Sequence, residues 1–117
     1  LWMGDMNVAP TDIDLHDPVR NKEHVCFHPL AKAAYARAKG DLWVDLFREK
    51  EPGPGHYTYW DYMFPTAFAN NRGWRIDHIL GTPAAVDRLK KVWIDKAPRG
   101  WEKPSDHTFV VAEFKST

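Results

Sequence analysis

The sequence predicts a mixed α/β (α+β) domain in which helices pack against one face of a sheet. Three observations lead there. "WRIDHIL" alternates, with Trp74, Ile76, His78 and Leu80 on one side and Arg75, Asp77 and Ile79 on the other. "HPLAKAAYARAKG" carries helix punctuation at both ends. Strand-like and helix-like segments alternate through connections of both hairpin and crossover length, the order expected of a sheet with helices laid on it.

In chain order, Leu1–Met3 read as the end of a strand, and "APTDIDLHDP", rich in Pro and Asp, as the loop after it. In the helix at 28–40, Pro29 suits the first turn, Leu30, Ala34, Tyr35 and Ala38 form an apolar stripe, and Gly40 ends it. "DLWVDLF" continues apolar and "KEPGPG" is a turn. "HYTYWDY" is strand-like by its aromatic and β-branched content. "TPAAVDRLKK" predicts a second short helix, capped by Thr82, with Pro83 in its first turn and Val86 and Leu89 facing in. "VWID" is a strand, "KAPRGWEKPSD" a long loop and "HTFVVAEFK" the last strand.

At 117 residues the chain is one domain or part of one. Sixteen acidic and sixteen basic residues give a net charge of zero, which argues against a nucleic-acid binder that works by bulk charge but leaves room for a local cleft. The single cysteine, Cys26, excludes an internal disulfide and fits a reducing compartment. No apolar run approaches the ~20 residues of a membrane-spanning helix.

Three places put acidic or amide groups at strand ends: Asp5 with Asn7, Asp77 with His78, and Asp106 with His107. Read alone, each also fits a plainer role, since Gly-Asp-x-Asn makes an Asx turn, Asp77 can pair with Arg72 or Arg75, and "PSDH" can be a turn. A carboxylate inside a segment as apolar as "WRIDHIL" needs a specific partner, because an unpaired buried charge costs several kcal/mol. Histidine is the natural one, since the pair fixes a tautomer and supports an imidazolium facing a phosphate. Asp5 and Asp106 are hard oxygen ligands or proton acceptors of the kind Mg²⁺ uses together with water and a substrate phosphate. With no Ser or Cys nucleophile motif in sight, the set suits metal-assisted attack of water on a phosphodiester. A rival set, His24, Cys26 and His28 in "HVCFH", would share one face of an extended segment, but no fourth zinc ligand follows at finger spacing.

Taken together, "GDMNVAPTDIDLHDP", "YTYWDYM", "NRGWRIDHIL" and "EKPSDH" resemble, in order, spacing and flanking residues, the exonuclease III family of abasic-site endonucleases, within the endonuclease/exonuclease/phosphatase superfamily. The resemblance runs through the whole chain but covers only the C-terminal half of that family's usual length. It implies that residues 1–117 are one half of a two-sheet α/β sandwich, contributing one mixed, mainly antiparallel sheet with helices on one face, and that the N-terminal half is absent.

By the same resemblance, Asp5 orients or deprotonates the attacking water, Asn7 positions water and phosphate, and Asp77 supports the catalytic His107. Asp106 sits at or near the metal, Mg²⁺ with Mn²⁺ as its substitute. Tyr59, Trp74 and Ile76 form an apolar pocket for a flipped abasic sugar, a device that selects nucleotides whose base is gone. Without the resemblance, those three read as core. Asn71, Arg72 and Met63 face DNA.

The expected substrate is double-stranded DNA with abasic sites or 3′ ends, in the bacterial cytoplasm or, in a eukaryote, the nucleus. The principal metal-binding glutamate belongs to the absent half, so the chain alone is expected to be feeble or inactive, and its uncovered sheet face to self-associate. Two other readings are a non-catalytic binding module and a phosphatase or lipid phosphodiesterase of the same superfamily. DNA binding would weaken steeply with salt, whereas a small phosphoester would show little such dependence.

Overall fold

Trp2–Asp5 (β1) and Val44–Asp45 (β2) flank Asp77–Gly81 (β3), each pairing with it antiparallel, so the apolar half of "WRIDHIL" becomes the centre of a three-stranded sheet. The structure, a computed structural model, describes residues 1–116. Leu89–Asp95 (β4) and Phe109–Phe114 (β5) form an antiparallel hairpin ladder beside that sheet. The helices are Pro29–Lys39 (α1), Leu46–Lys50 (α2) and Pro83–Arg88 (α3). The molecule is a slab of 44 × 34 × 21 Å, thin enough for one sheet layer and its covering.

Helix ends are set by local chemistry. The His28 ring accepts the Leu30 N–H (3.1 Å) at the start of α1, and Gly40, at φ 52°, closes it with its N–H on the Ala36 carbonyl. Asp45 caps α2 through the Arg48 N–H, and Thr82 caps α3 through the Ala85 N–H. The stripe expected on α1 is not buried: the helix has no buried residue, and Leu30 is 74% exposed. Alanines are too short to reach across the gap, so α1 leans on its neighbours through half-buried Tyr35 and Lys32, whose ammonium lies 3.7 Å from the centre of the Phe27 ring.

Two further expectations are corrected. The second short helix stops at Arg88, and Leu89 and Lys91 already pair with Phe114 and Glu113, the Lys90 and Lys91 ammoniums lying within 3.5 Å of the Glu113 carboxylate. "HYTYWDY" is not a regular strand. The Thr58 and Tyr59 N–H groups both point to the Trp74 carbonyl (2.9 and 3.0 Å), which breaks the ladder, and Tyr59 keeps only isolated bridges to Trp74 and His107.

Among the described residues the core has three clusters. Ala9, Leu15, Cys26, Phe27, Trp74 and Ile76 form one. Leu46, Ile79 and Leu89 join the hairpin to the main sheet in the second, and Tyr57, Trp60 and Ala67 form the third. Alternation along 74–80 fails at Arg75, which is 1% exposed. Its guanidinium is held by Asp14 (2.7 Å) and Asp45 (2.6 Å), and Arg48 also pairs with Asp14. The strand is covered on both sides, so an arginine on its second face must be paired internally.

Candidate active site

The register of β1 on β3 sets Asp5 directly opposite Asp77 at the end of the ladder. Two like charges at facing positions repel, so a ladder keeps them only where a cation or proton donor stands between. His107 stands there. Its Nδ1 is 2.8 Å from Asp77 Oδ2 and its Nε2 3.7 Å from Asp5 Oδ2. An ionised carboxylate only accepts, so Nδ1–H donates to Asp77 and Nε2 faces Asp5 and the opening. One ligand atom from each of the three residues lies within 4.8 Å of the others, the one such group among the described residues.

Each member is positioned by a local device. Asp5 Oδ1 accepts the Asn7 N–H (2.9 Å) in an Asx turn that holds Asn7 at φ 52°, which leaves Oδ2 for chemistry. The turn expected of "GDMN" is therefore present, and it occupies only one of the two Asp5 oxygens. Asp77 is placed by Thr58, fully buried, whose hydroxyl accepts the N–H groups of Ile76 (3.1 Å) and Asp77 (3.2 Å). The Thr58 carbonyl also accepts the Thr108 N–H (2.8 Å), so one threonine ties the Asp77 segment to the His107 segment. Sequence reasoning missed it, although a lone threonine inside an aromatic run was the available signal. The Ser105 hydroxyl accepts the His107 N–H, and the Asp106 carbonyl accepts that of Trp60. The Asp106 carboxylate, half-buried, lies outside the three-residue group.

Behind the site, His78 Nε2–H donates to the Val8 carbonyl (2.7 Å) and pins the loop that follows Asn7. Burial, and then the adjacent Arg75 charge, hold the His78 pKa below the ordinary imidazole value, so this ring is the neutral Nε2–H tautomer. Burial alone would raise the Asp14 and Asp45 pKa values, but Arg75 outweighs it and both carboxyls titrate below the usual range.

Of the residues expected to form the sugar pocket, Trp74 (6% exposed) and Ile76 (3%) are core, and Tyr59 is half-buried with its ring 5.1 Å from that of His107. Trp74 is covered by His24, whose ring lies 4.3 Å away at 35°, and met edge-on by His16 at 6.2 Å. Asn71 spends its side chain internally, accepting from Trp60 Nε1 (3.2 Å) and donating to the Gly55 carbonyl (2.9 Å), while Arg72 is exposed. Met63 is 81% exposed between exposed Tyr62 and Phe64. The "HVCFH" segment is turn rather than extended: Cys26 is buried, His28 caps α1, and the three do not gather as a ligand group.

Residues 1–107 match the endonuclease/exonuclease/phosphatase family. The chain belongs to that family. Among its curated relatives, the exodeoxyribonuclease III of Haemophilus influenzae is 37% identical over 122 residues, covering 98% of this chain and 45% of that protein. Among solved structures, an AP endonuclease from Archaeoglobus fulgidus superposes with a TM-score of 0.95 at 44% identity, covering 98% of this chain and 45% of that one. A 3′ phosphatase from Neisseria bound to product DNA hairpin gives 0.92 at 35%, covering 97% and 44%. The chain therefore spans less than half the length of the family members it matches here. The mixed α/β architecture with antiparallel sheets agrees with theirs.

Proposed function

We propose that this chain is the C-terminal half of the catalytic domain of a DNA repair nuclease, which hydrolyses the phosphodiester 5′ to an abasic site and also removes 3′ nucleotides. The observation that carries the reading is His107 standing between the facing carboxylates Asp5 and Asp77. Support comes from relatives named exodeoxyribonuclease III and AP endonuclease.

In this mechanism Asp5 Oδ2 takes the proton of a water that attacks phosphorus in line. As the new P–O bond forms, the P–O bond to the 3′ oxygen breaks, and that oxygen leaves as a hydroxyl after taking a proton from solvent. His107, held through Nδ1 by Asp77, presents Nε2–H to the charge growing on the phosphoryl oxygens. Asn7 orients the water and phosphate.

A divalent cation, Mg²⁺ with Mn²⁺ as substitute, would be held by the free oxygen of Asp5, with Asp106, which lies outside the Asp5–Asp77–His107 group, as a second donor only if its carboxylate turns toward the site, and would polarise the phosphoryl group when bound. Two carboxylates are few for such an ion, so affinity in this chain alone would be about millimolar or weaker.

The test is incision of a labelled duplex carrying one tetrahydrofuran abasic analogue, with Mg²⁺ or EDTA. It is run on the chain alone and on the chain supplied with the N-terminal half of a family member. The expected result is metal-dependent cutting 5′ to the lesion, feeble alone and restored by the added half. His107→Ala should lower it by about 100- to 1,000-fold. Absence of cutting in both settings would overturn the nuclease reading in favour of a binding module.

A further inference from the structure

We propose that Arg99 is a positioning residue for His107, closing the short ladder that carries the imidazole to Asp77. The inference rests on the nuclease reading above for the role of His107, and concerns a residue which that reading does not use. His107 precedes β5 and belongs to no strand of the sheet. Its place is set by an isolated antiparallel bridge to Tyr59. On one side of that bridge the Thr108 N–H donates to the Thr58 carbonyl (2.8 Å), and on the other the Trp60 N–H donates to the Asp106 carbonyl (3.0 Å).

A regular antiparallel ladder would complete the Trp60–Asp106 pair with a return bond from the Asp106 N–H to the Trp60 carbonyl. Among the described residues that bond is not made. Arg99 takes its place, its guanidinium Nη2 donating to the Trp60 carbonyl at 2.9 Å. Trp60 is fully buried, and a buried carbonyl without a donor is costly. The guanidinium is itself held. Its carbon lies 5.2 Å from the centre of the Phe68 ring and 5.5 Å from that of Tyr62, and Phe68 meets the Trp60 indole edge-on at 5.0 Å. Tyr62 in turn donates its hydroxyl to the Pro104 carbonyl. Arg99 Nε is buried with no acceptor among the described residues, so two ring faces and one carbonyl, rather than a carboxylate, fix this cation.

Arg99 lies on the turn Ala97–Gly100, which opens the long loop toward His107. The carbonyl of Trp60 thus holds the start of this loop, while the N–H of the same residue holds its end at Asp106. Without the guanidinium, the Trp60 carbonyl draws on the Asp106 N–H or on water, and the peptide leading into His107 turns or loosens. The bond from His107 Nδ1 to Asp77 is 2.8 Å long, so a small shift of the backbone breaks it. A misplacement of about 1 Å in a catalytic group costs about 100-fold in rate.

Two measurements test this. Arg99→Met removes the charge and the donor at similar length, whereas Arg99→Lys keeps a cation for the rings and a donor for the carbonyl. Under the condition above that gives incision, Arg99→Met should lower kcat at the tetrahydrofuran site by about 10- to 100-fold with KM within about twofold. Arg99→Lys should return kcat to within about fivefold of the parent value. In the chain alone, the His107 Nδ1–H proton, assigned by its loss in His107→Ala, should give a far-downfield NMR signal that disappears in Arg99→Met and returns in Arg99→Lys. A loss expressed in KM, with a shallower salt dependence, would overturn the inference and make Arg99 a phosphate contact instead. Parent kcat and an unchanged imidazole signal in folded Arg99→Met would overturn it and leave the nuclease reading standing. Should Arg99→Met not fold, Arg99→Gln, which keeps a donor but no charge, replaces it, with a kcat loss of about three- to tenfold expected. If the parent does not incise, the nuclease reading falls and the imidazole signal alone decides whether Arg99 holds His107: loss in Arg99→Met with return in Arg99→Lys upholds it, and persistence overturns it.

Discussion

His107 is tied more closely to one carboxylate than to the other, and the difference assigns their roles. The 2.8 Å contact to Asp77 is a full hydrogen bond, whereas the 3.7 Å separation from Asp5 is too long for one. In the proposed mechanism Asp77 is a positioning residue, and its effect should be felt in the transition state rather than in binding. Asp77→Asn keeps the shape but no longer supports an imidazolium. It should lower kcat for abasic incision by about two to four orders of magnitude with KM nearly unchanged. Steady-state kinetics on the tetrahydrofuran duplex checks this, and a loss expressed mainly in KM would mean that Asp77 serves DNA binding instead. That Asp77 needs a specific partner is legible in the sequence, because a carboxylate in an apolar strand demands one. Thr58 is not, because its role arises from which segments come to lie beside it. A lone threonine in an aromatic run hints that Thr58 is unusual, but not which two segments it will tie together.

Helix and strand positions were readable where local chemistry decides them and unreadable where packing does. Residues 28–40 and 107–115 carry their own signals, and the structure returns Pro29–Lys39 and Phe109–Phe114. "HYTYWDY" misleads because aromatic content describes a half-buried surface and not a ladder. Arg75 misleads for a related reason: alternation assumes one wet face, and β3 is approached from both sides. The buried cluster of Arg75, Asp14, Asp45 and Arg48 joins the loop after β1 to α2 and to the entry of β3, and it makes stability depend on pH. Asp14 and Asp45 titrate below the ordinary carboxylate value in the folded state. Their contribution is full above the unfolded pKa and is lost as pH falls through the folded one. His78, depressed by burial and Arg75, acts in the same direction at higher pH. The unfolded chain binds its proton first, so stability begins to fall below the ordinary imidazole value. Thermal melts should therefore show one decline below about pH 6.5 and a steeper one below about pH 4. Removing one partner of the cluster by Arg75→Ala should cost about 3–5 kcal/mol at pH 7 and flatten the acid branch. A melt series whose acid branch is the same with and without Arg75 would show that this cluster does not govern it.

The outermost strand of the slab links stability to assembly. All four residues of β1 are exposed, with Trp2 at 41% and Met3 at 64%, as is Leu1 before it at 59%, and β1 is the edge of its sheet. Phe109 at 64% and Trp93 at 38% add apolar surface on the hairpin. An exposed edge with apolar side chains invites pairing with another chain, through both its unpaired backbone groups and its side chains. The family members matched here have more than twice this length, and we expect a chain segment equivalent to their additional length to cover this surface. Alone, the chain should self-associate. Sedimentation at increasing concentration should show dimers or larger species by about 100 µM, the range of a weak apolar interface. Met3→Lys, which places a charge on the edge without touching Asp5, should return the chain to a monomer. Adding the N-terminal half of a family member should have the same effect, because it competes for the same surface. A monomer at every concentration would mean that the exposed residues of β1 and the hairpin do not form an adhesive surface. A dimer that persists in Met3→Lys and survives addition of the upstream half would place the contact elsewhere, on the exposed Val19, Val25 and Leu30.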